Sequence, residues 1–276
     1  MKKVLVLTDL SLNSRAGIIF AIQLALRSKS KLIFFHVVEL LKPRRWSEKK
    51  YQDYLENELK RCHKQMLTYV ENGFKKIKGP RPQYECVVKS GRDVANTAIA
   101  YAKKAKAKAI CLSTRGAGPI KKILGTTASK IIDKSKTPVF VIPINYQKAP
   151  LKEIFYATDL HNFKAEMRRI KPLADLTKAR ITAYHYDHFQ NLAAKLKQIK
   201  HCIKTLSSTR HMFRIRELHP EFSLSFHLLQ DIEESNASLA VLFTDQKKTW
   251  FKKVFLTGNS AELTFRTKKP LLIFDK

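Results

Sequence analysis

Glycines, lysines and threonines gather in one stretch that directly follows a short apolar run. The run is AICL, and the stretch after it reads STRGAGPIKKILGTT, residues 113–127. Its glycines are Gly116, Gly118 and Gly125. Glycine permits backbone conformations closed to other residues and lets amides approach an anion closely. Thr126 and Thr127 open a predicted helix, so their amides and hydroxyls can point at a bound phosphate.

The basic side chains of this stretch are Arg115, Lys121 and Lys122, which could neutralise phosphate charge. The spacing matches neither the G-x-x-x-x-G-K-[ST] phosphate loop nor the G-x-G-x-x-G fingerprint of dinucleotide sites. A basic surface turn is therefore the alternative to a phosphate cradle.

Two further features could join a ligand site. Asp9 follows the predicted strand Val4–Thr8 and precedes Ser11 and Ser14. It is either a helix cap or a carboxylate that faces a sugar or a base. At the end of the next strand, the exposed backbone of residues 36–38 could read a purine edge, whereas we expect the His36 side chain to be structural.

Apolar runs alternate with amphipathic stretches along the first half, including a long predicted helix over residues 48–77. Continuously apolar strands that alternate with helices predict a parallel sheet covered on both faces. We expect about five strands in each half. Ligands of such sheets bind beyond the carboxyl ends of the strands, at the switch point of the strand order. Asp9, residues 36–38 and the stretch 113–127 all follow strands and so converge on that edge.

Five segments of the first half recur in the same order in the second half. They include VLVLTDLS and IFYATDLH, which place Asp9 and Asp159 at an offset of 150. Such ordered self-similarity predicts two homologous domains, 1–146 and 151–276, joined near the segment NYQKAPL.

Composition limits the function classes. The chain has 276 residues and a net charge of +30; residues 1–150 hold 31 Lys and Arg against 10 Asp and Glu. Such charge attracts polyanions, but a merely solvated surface is the plainer interpretation, since no base-reading motif is present. The four cysteines are scattered, which is typical of reduced thiols, and we expect no metal site. No apolar run approaches the ~20 residues of a membrane span, so we expect a cytoplasmic protein without a membrane partner.

With these residues in view, the sequence resembles a tandem form of the universal stress protein family. The resemblance covers most of the chain and rests on TDLS, on HVVE, on the segment VVKSG and above all on LSTRGAGPIKKILGTTASKIIDKSKTPVFVIP. It implies an α/β fold with two tandem Rossmann-like domains of the adenine nucleotide alpha hydrolase type. Each would hold a five-stranded parallel sheet with helices on both faces.

The resemblance also implies an ATP site in the first domain. Asp9 matches the acidic residue that contacts the nucleotide, and Val37 matches the residue at the adenine. The phosphate-binding motif corresponds to residues Ser113, Arg115, Gly116, Gly125, Thr126 and Thr127. Two departures from the motif occur: Ser113 replaces its first glycine, and eight residues instead of nine separate the last two glycines.

The second half keeps Gly258 but lacks the earlier glycines, and Asp245 would repel phosphate, so we expect no nucleotide there. The resemblance implies that domains pair, either within the chain or as a homodimer.

The sequence thus predicts a stress-response module that binds an adenine nucleotide, with ATP and Mg²⁺ as the expected ligands. No catalytic set is recognised, and slow ATP hydrolysis is the most that the residues would permit. One alternative is an interaction protein whose basic surface docks on nucleic acid or an acidic partner. A nucleotidyl transferase is the other, although the signatures of that class are missing.

Overall fold

The protein is described by a computed structural model that covers residues 2–77, 79–114, 126–206, 211–244 and 267–275. Its chain divides into two compact units, Met1–Lys148 and Ala149–Lys276. Strands and helices alternate along most of the described residues, as the apolar periodicity predicts.

The first unit contains five strands and four α-helices within its described residues. In chain order they are β1 (Lys3–Leu7), α1 (Arg15–Ser28), β2 (Lys31–Val38), α2 (Glu48–Lys76), β3 (Tyr84–Ser90), α3 (Val94–Lys104), β4 (Ala109–Ser113), α4 (Thr126–Lys134) and β5 (Val139–Ile142). The strands lie in the order β3-β2-β1-β4-β5 and pair in parallel. The predicted doubly wound α/β fold is confirmed.

The second unit repeats this plan. Its described elements are β6 (Glu153–Thr158), α5 (Phe163–Thr177), β7 (Arg180–Asp187), α6 (Phe189–Leu206), β8 (Met212–Glu217), α7 (Leu224–Glu234), β9 (Leu239–Thr244) and β10 (Leu271–Asp275). The strand order is β10-β9-β6-β7-β8, again parallel. The two units therefore have the same strand topology, with β1 and β6 as the central strands.

The central strands are buried on both faces, which explains their continuous apolar runs. Four successive residues of β1, Val4 to Leu7, are buried, as are all five residues of β4. α1 covers the sheet with nine buried residues, whereas α2 buries only one stripe that includes Met66, Val70 and Phe74. The core thus fixes where β1, β2 and β4 end, and those ends carry the predicted site.

Candidate functional site

The strand order reverses at β1 in the first unit, because β1 pairs with β2 on one side and β4 on the other. Parallel α/β sheets bind ligands in the crevice outside the carboxyl ends of their strands at such a point. The loop after β1, the end of β2 and the end of β4 all belong to this edge. The candidate residues predicted from the sequence therefore follow three neighbouring strands.

Asp9 lies in a turn that its own side chain stabilises. The N–H of Ser11 donates to Asp9 Oδ1 at 3.1 Å, and the N–H of Leu10 donates to Thr8 Oγ1 at 3.0 Å. Leu10 has a positive φ of 64°, a conformation that a non-glycine residue adopts only with some strain. Asp9 itself is exposed at the sheet edge. Its position allows contact with a ligand, but its turn-forming role is sufficient to explain the residue type.

A polar network behind this turn holds it against α2. Tyr69 of α2 donates its hydroxyl to the Ser11 carbonyl at 2.5 Å and lies 2.9 Å from Ser14 Oγ. Ser14 Oγ is also 2.7 Å from Thr8 Oγ1. Burial raises the pKa of Tyr69 above its ordinary value, although the contact with Ser14 opposes the rise. The neutral phenol is thus favoured as a structural donor.

His36 fixes the end of β2 to the same turn. Its Nδ1 is 2.9 Å from the Thr8 carbonyl. A carbonyl can only accept, so Nδ1 carries the proton and donates. The imidazole is thus engaged in the fold, in keeping with the expected structural role.

Val37 directs its backbone toward the open side of the sheet edge. The Thr8 N–H donates to the Phe35 carbonyl at 3.0 Å, so the backbone polar groups of Phe35 face β1. Residues two apart in a strand share that direction, and Val37 therefore faces the same side, beyond the last residue of β1. The Val37 side chain is buried, with 6% of its surface exposed. An amide and a carbonyl in this position suit the hydrogen-bonding edge of a planar base.

Ser113, which stands where the family motif has glycine, turns its side chain into the fold. Its Oγ accepts the N–H of Gly17 at 2.9 Å, and both groups are buried. Gly17 lies in the first turn of α1, where helix N–H groups have no partner within the helix. Ser14, the residue before α1, makes no side-chain cap. Ser113 therefore caps α1 from a neighbouring strand and keeps its hydroxyl away from the sheet edge.

Close packing at Gly17 supports this arrangement. A Cβ at Gly17 would lie 3.2 Å from the Ser113 backbone nitrogen and 3.2 Å from its Oγ. Glycine avoids a tight contact here, because α1 approaches the end of β4 closely. The sequence offered no local signal for this contact, since the two residues are 96 positions apart.

The phosphate end of the predicted site is described in part. Thr126 and Thr127 begin α4, Thr126 exposed and Thr127 half-buried. Their amides are therefore first-turn donors of a nine-residue helix. Arg115, Gly116 and Gly125 lie outside the described residues, as do Gly118, Lys121 and Lys122.

Arg15 is a candidate residue that the sequence analysis missed. It is the first residue of α1, and its guanidinium carbon is 6.0 Å from the centre of the Tyr69 ring. Its Nε is buried without a hydrogen-bond partner in the described part of the chain. Both Arg15 and Asp9 influence the pKa of Tyr69, which places the two charges around one hydroxyl. Arg15 could have been proposed from the sequence because it begins the helix that follows Asp9.

The turn after β6 in the second unit has the same contacts as the turn after β1. The His161 N–H donates to Asp159 Oδ1 at 3.1 Å, and Leu160 has a φ of 69°. His185 Nδ1 is 3.1 Å from the Thr158 carbonyl, as in the first unit. Thr244, at the end of β9, donates to the Phe274 carbonyl at 3.3 Å, so its hydroxyl is used within the sheet. Asp245 and Gly258 lie outside the described residues.

The described residues also bear on metal binding and membrane insertion. No group of three or more His, Cys, Asp or Glu side chains within those ranges is placed to hold a metal ion. None of the helices in the same ranges combines the length and apolarity needed to cross a bilayer.

The fold defines the class of doubly wound α/β proteins, whose ligands commonly bind at the switch point of the strand order. Within that class, the family model for the universal stress protein family matches residues 1–143. That match spans more than half of the chain, and the chain belongs to the universal stress protein family. The resemblance inferred from the sequence is thereby confirmed.

Solved structures agree on the fold. A universal stress protein from Archaeoglobus fulgidus DSM 4304 has a TM-score of 0.69 and 17% identity, and the match covers 99% of this chain and 96% of that one. A functionally unknown protein from Pseudomonas aeruginosa PAO1 has a TM-score of 0.56 and 17% identity, with coverages of 100% and 92%. A sequence search against curated proteins found no significant match.

Fold similarity also extends to a protein of another class. The cytoplasmic domain of a prokaryotic cation chloride cotransporter has a TM-score of 0.54 at 9% identity, with coverages of 99% and 94%. One fold thus serves different roles, and function must be argued from the site itself.

Proposed function

We propose that the carboxyl edge of the first unit binds an adenine nucleotide, with ATP as the preferred ligand, and that the protein acts as a nucleotide-dependent regulatory module of the stress response. The observation that carries this proposal is the orientation of Ser113. Its hydroxyl is engaged by the Gly17 N–H, so the serine leaves the path along the strand end open. Replacement of the motif glycine is therefore compatible with a bound ribose and phosphates.

The remaining roles follow from position at the edge. The backbone of Val37 would hold the adenine, and Asp9 would accept hydrogen bonds from the ribose. Thr126 and Thr127 would present amides and hydroxyls to the phosphates, which favour the N-terminus of a helix. Arg115, Gly116 and Gly125 would complete the phosphate loop, and Arg15 would add positive charge.

Mg²⁺ would enter with the phosphates of ATP and supply counter-charge to them. The described residues provide no preformed metal cluster, so we expect a metal carried by the nucleotide. No nucleophile–base pair is assigned at the edge, and the proposed role is binding, with hydrolysis slow at most. The four free cysteines fit a reducing compartment, and we place this function in the cytoplasm.

The first experiment denatures the purified protein and analyses the supernatant for released adenine nucleotide. ATP titration by calorimetry, with and without Mg²⁺, then measures affinity. Gly125→Val should abolish binding, because a branched side chain would crowd the phosphates that a motif glycine lets approach the backbone. Gly258→Val, the matched change in the second half, should leave the affinity unchanged. Unaltered ATP affinity in Gly125→Val would refute the assigned loop.

Asp9→Asn separates the turn from the charge. Asparagine can still accept the Ser11 N–H, so the fold should persist. Loss of a charged acceptor at the ribose should weaken ATP binding roughly 10-fold. Asp159→Asn makes the same change in the equivalent turn of the second unit and serves as its control. Equal affinities in both variants would confine Asp9 to its structural role.

A further inference from the structure

Lysines lie at the start of β1 and β2 and just before β4, at the amino end of the first unit's sheet and opposite the candidate nucleotide site. The Lys31 N–H donates to the Lys2 carbonyl at 3.0 Å, and the Lys108 N–H donates to the Lys3 carbonyl at 2.9 Å. Lys3 and Lys31 are also direct partners in the β1–β2 register. The backbone itself therefore brings these cations together at one end of the sheet.

The helices that return to this end add further cations. α1 ends with Arg27 in its last turn, and α3 ends with Lys103 and Lys104. Lys29 and Lys106 follow these helices with φ values of 50° and 54°. Glycine is the usual residue at such left-handed positions after a helix. The chain thus retains lysine where the backbone favours glycine.

Attraction between lysine and the negative end of a helix dipole accounts for part of this pattern. It does not account for the missing acidic residues. No Asp or Glu occurs between Asp9 and Glu39, or between Asp93 and Asp133. These two segments supply α1, the start of β2, α3 and the start of β4. Acidic residues from other segments do lie at this end: Glu85 pairs with Lys31 at 2.6 Å, and Glu71 pairs with Arg81 at 2.8 Å.

Several basic residues at this end are exposed, and six of them form what we call the amino-end cluster: Lys2, Arg27, Lys29, Lys104, Lys106 and Lys108. The exposed large hydrophobic side chains described for the first unit lie elsewhere. They follow the carboxyl ends of strands or lie on α2, and are Leu12, Leu41, Tyr54, Leu67 and Ile144.

We propose that the amino-end cluster docks on the phosphate backbone of duplex nucleic acid. Exposed lysines act as hydrated point charges that neutralise phosphates and release counterions, without reading bases. Single strands are normally bound with exposed aromatic rings on which bases stack, and membrane surfaces with apolar or aromatic side chains. Neither kind of group is exposed among the described residues of this cluster, which favours a duplex over both.

The corresponding end of the second unit is built differently. Arg180, at the start of β7, pairs with the buried Glu153 of β6 at 2.5 Å. The Lys268 N–H donates to Glu233 there at 2.8 Å. Acidic residues thus mix with the basic ones, and we assign the docking surface to the first unit alone.

The test compares two variants of the full chain that carry the same net charge. One changes Lys29, Lys104, Lys106 and Lys108 to Gln. The control changes four exposed lysines of α5 and α6 to Gln: Lys164, Lys171, Lys197 and Lys200. Fluorescence anisotropy measures the affinity for a short DNA duplex of random sequence over a series of salt concentrations, and circular dichroism checks folding.

The cluster variant should bind at least ~30-fold more weakly in ~0.1 M salt, and the slope of log K against log salt should fall by about 2 to 4. The control variant should change affinity less than ~3-fold, since it keeps the cluster's phosphate contacts. Equal losses in the two variants would overturn the localised surface. Tighter binding to phosphatidylcholine–phosphatidylserine vesicles than to the duplex would also overturn the proposal, in favour of a membrane.

The Gly125→Val variant distinguishes this inference from the proposed nucleotide site. The cluster lies at the other end of the strands, so duplex affinity should persist when ATP binding is lost. Conversely, the cluster variant should bind ATP normally. Loss of duplex binding in Gly125→Val would refute the independence of the two surfaces.

Discussion

Replacing Ser113 by alanine should destabilise the first unit, because the serine hydroxyl is the partner of a buried helix N–H. The Gly17 N–H would lose its acceptor at 2.9 Å, and no water can easily replace it in a buried position. A buried donor left unsatisfied costs about 1–3 kcal/mol. We therefore expect Ser113→Ala to lower the free energy of unfolding by about 2 kcal/mol.

Ser113→Gly, which restores the family's glycine, should cost more. It loses the same hydrogen bond and adds the backbone entropy of glycine in a strand, about 0.5–1 kcal/mol. The expected loss of unfolding free energy is about 2.5–3 kcal/mol. A domain of typical stability, about 5–15 kcal/mol, would still fold. Stability should thus rank wild type above alanine and alanine above glycine.

Urea unfolding followed by tryptophan fluorescence can report on the first unit alone. The chain has two tryptophans, Trp46 and Trp250, so a Trp250→Phe background leaves a single probe. Trp46 packs edge-on against Tyr54 with ring centres 5.1 Å apart, and its fluorescence should change on unfolding. Ser90→Ala, at an exposed serine that ends β3, is the control and should change stability by less than ~0.5 kcal/mol.

The same variants decide how Ser113 affects the ligand. Because its side chain points into α1, Ser113→Gly should leave ATP affinity within about 3-fold of wild type, less than 1 kcal/mol. An increase of tenfold or more would mean that the serine obstructs the site. A stability change below ~0.5 kcal/mol in Ser113→Ala would refute the capping role. Either result would remove the observation on which the proposal rests, that the Ser113 side chain is held by Gly17 and leaves the strand end open.

Three other predictions follow from the described contacts. Tyr69→Phe removes the hydrogen bond to the Ser11 carbonyl, and the same urea assay should show a loss of about 1 kcal/mol. Burial raises the pKa of Cys86 to about 11, so little of its thiol is ionised at pH 8. Alkylation by iodoacetamide should therefore be ~100-fold slower than for free cysteine, and mass spectrometry of the labelled peptide measures this rate. Burial also raises the pKa values of Tyr156 and Tyr186, whose folded forms keep protons that the unfolded chain loses. Stability should therefore be intact below pH ~10 and fall above it, and urea midpoints that stay constant to high pH would contradict this.

The elements of the fold could be read from the sequence because they depend on local periodicity. The long stretch rich in Glu and Lys predicted a helix over residues 48–77, and the helix spans Glu48–Lys76. The apolar run of β2 likewise matches the strand Lys31–Val38. Buried parallel strands and amphipathic helices leave strong patterns, and alternation of the two is sufficient to specify the sheet type.

For the site, the sequence predicted the sheet edge on which it lies but not the contacts between its side chains. Which side chains meet at the sheet edge depends on partners far apart in the sequence, such as Tyr69 with Ser11 across 58 positions. Arg15 was missed because a lone arginine at a helix start has no distinctive pattern. Ser113 was recognised as a departure from the motif, but its cap on Gly17 required the packing of α1 on β4.

Recurrence of Thr-Asp-Leu in both halves is explained by the turn that it forms. The threonine Oγ1 accepts the leucine N–H at 3.0 Å in the first unit and 3.1 Å in the second. The aspartate accepts an N–H at 3.1 Å in both, and both leucines have positive φ. Since an identical turn occurs in the half that we expect to lack a nucleotide, Asp9 cannot by itself identify the binding unit.

The distinction must instead arise where the fourth strand of each unit ends. Ser113 of β4 uses its hydroxyl to cap the neighbouring helix, whereas Thr244 of β9 donates its hydroxyl to the adjacent β10. The segment that follows Ser113 carries three glycines and the start of α4, and the segment after Thr244 opens with Asp245. A negative charge at that position opposes phosphate, while glycine amides and a helix start attract it. Under the proposed function, the segments after β4 and β9 therefore decide which unit binds the nucleotide, and substitution of Gly125 or Gly258 is the change that discriminates between the two halves.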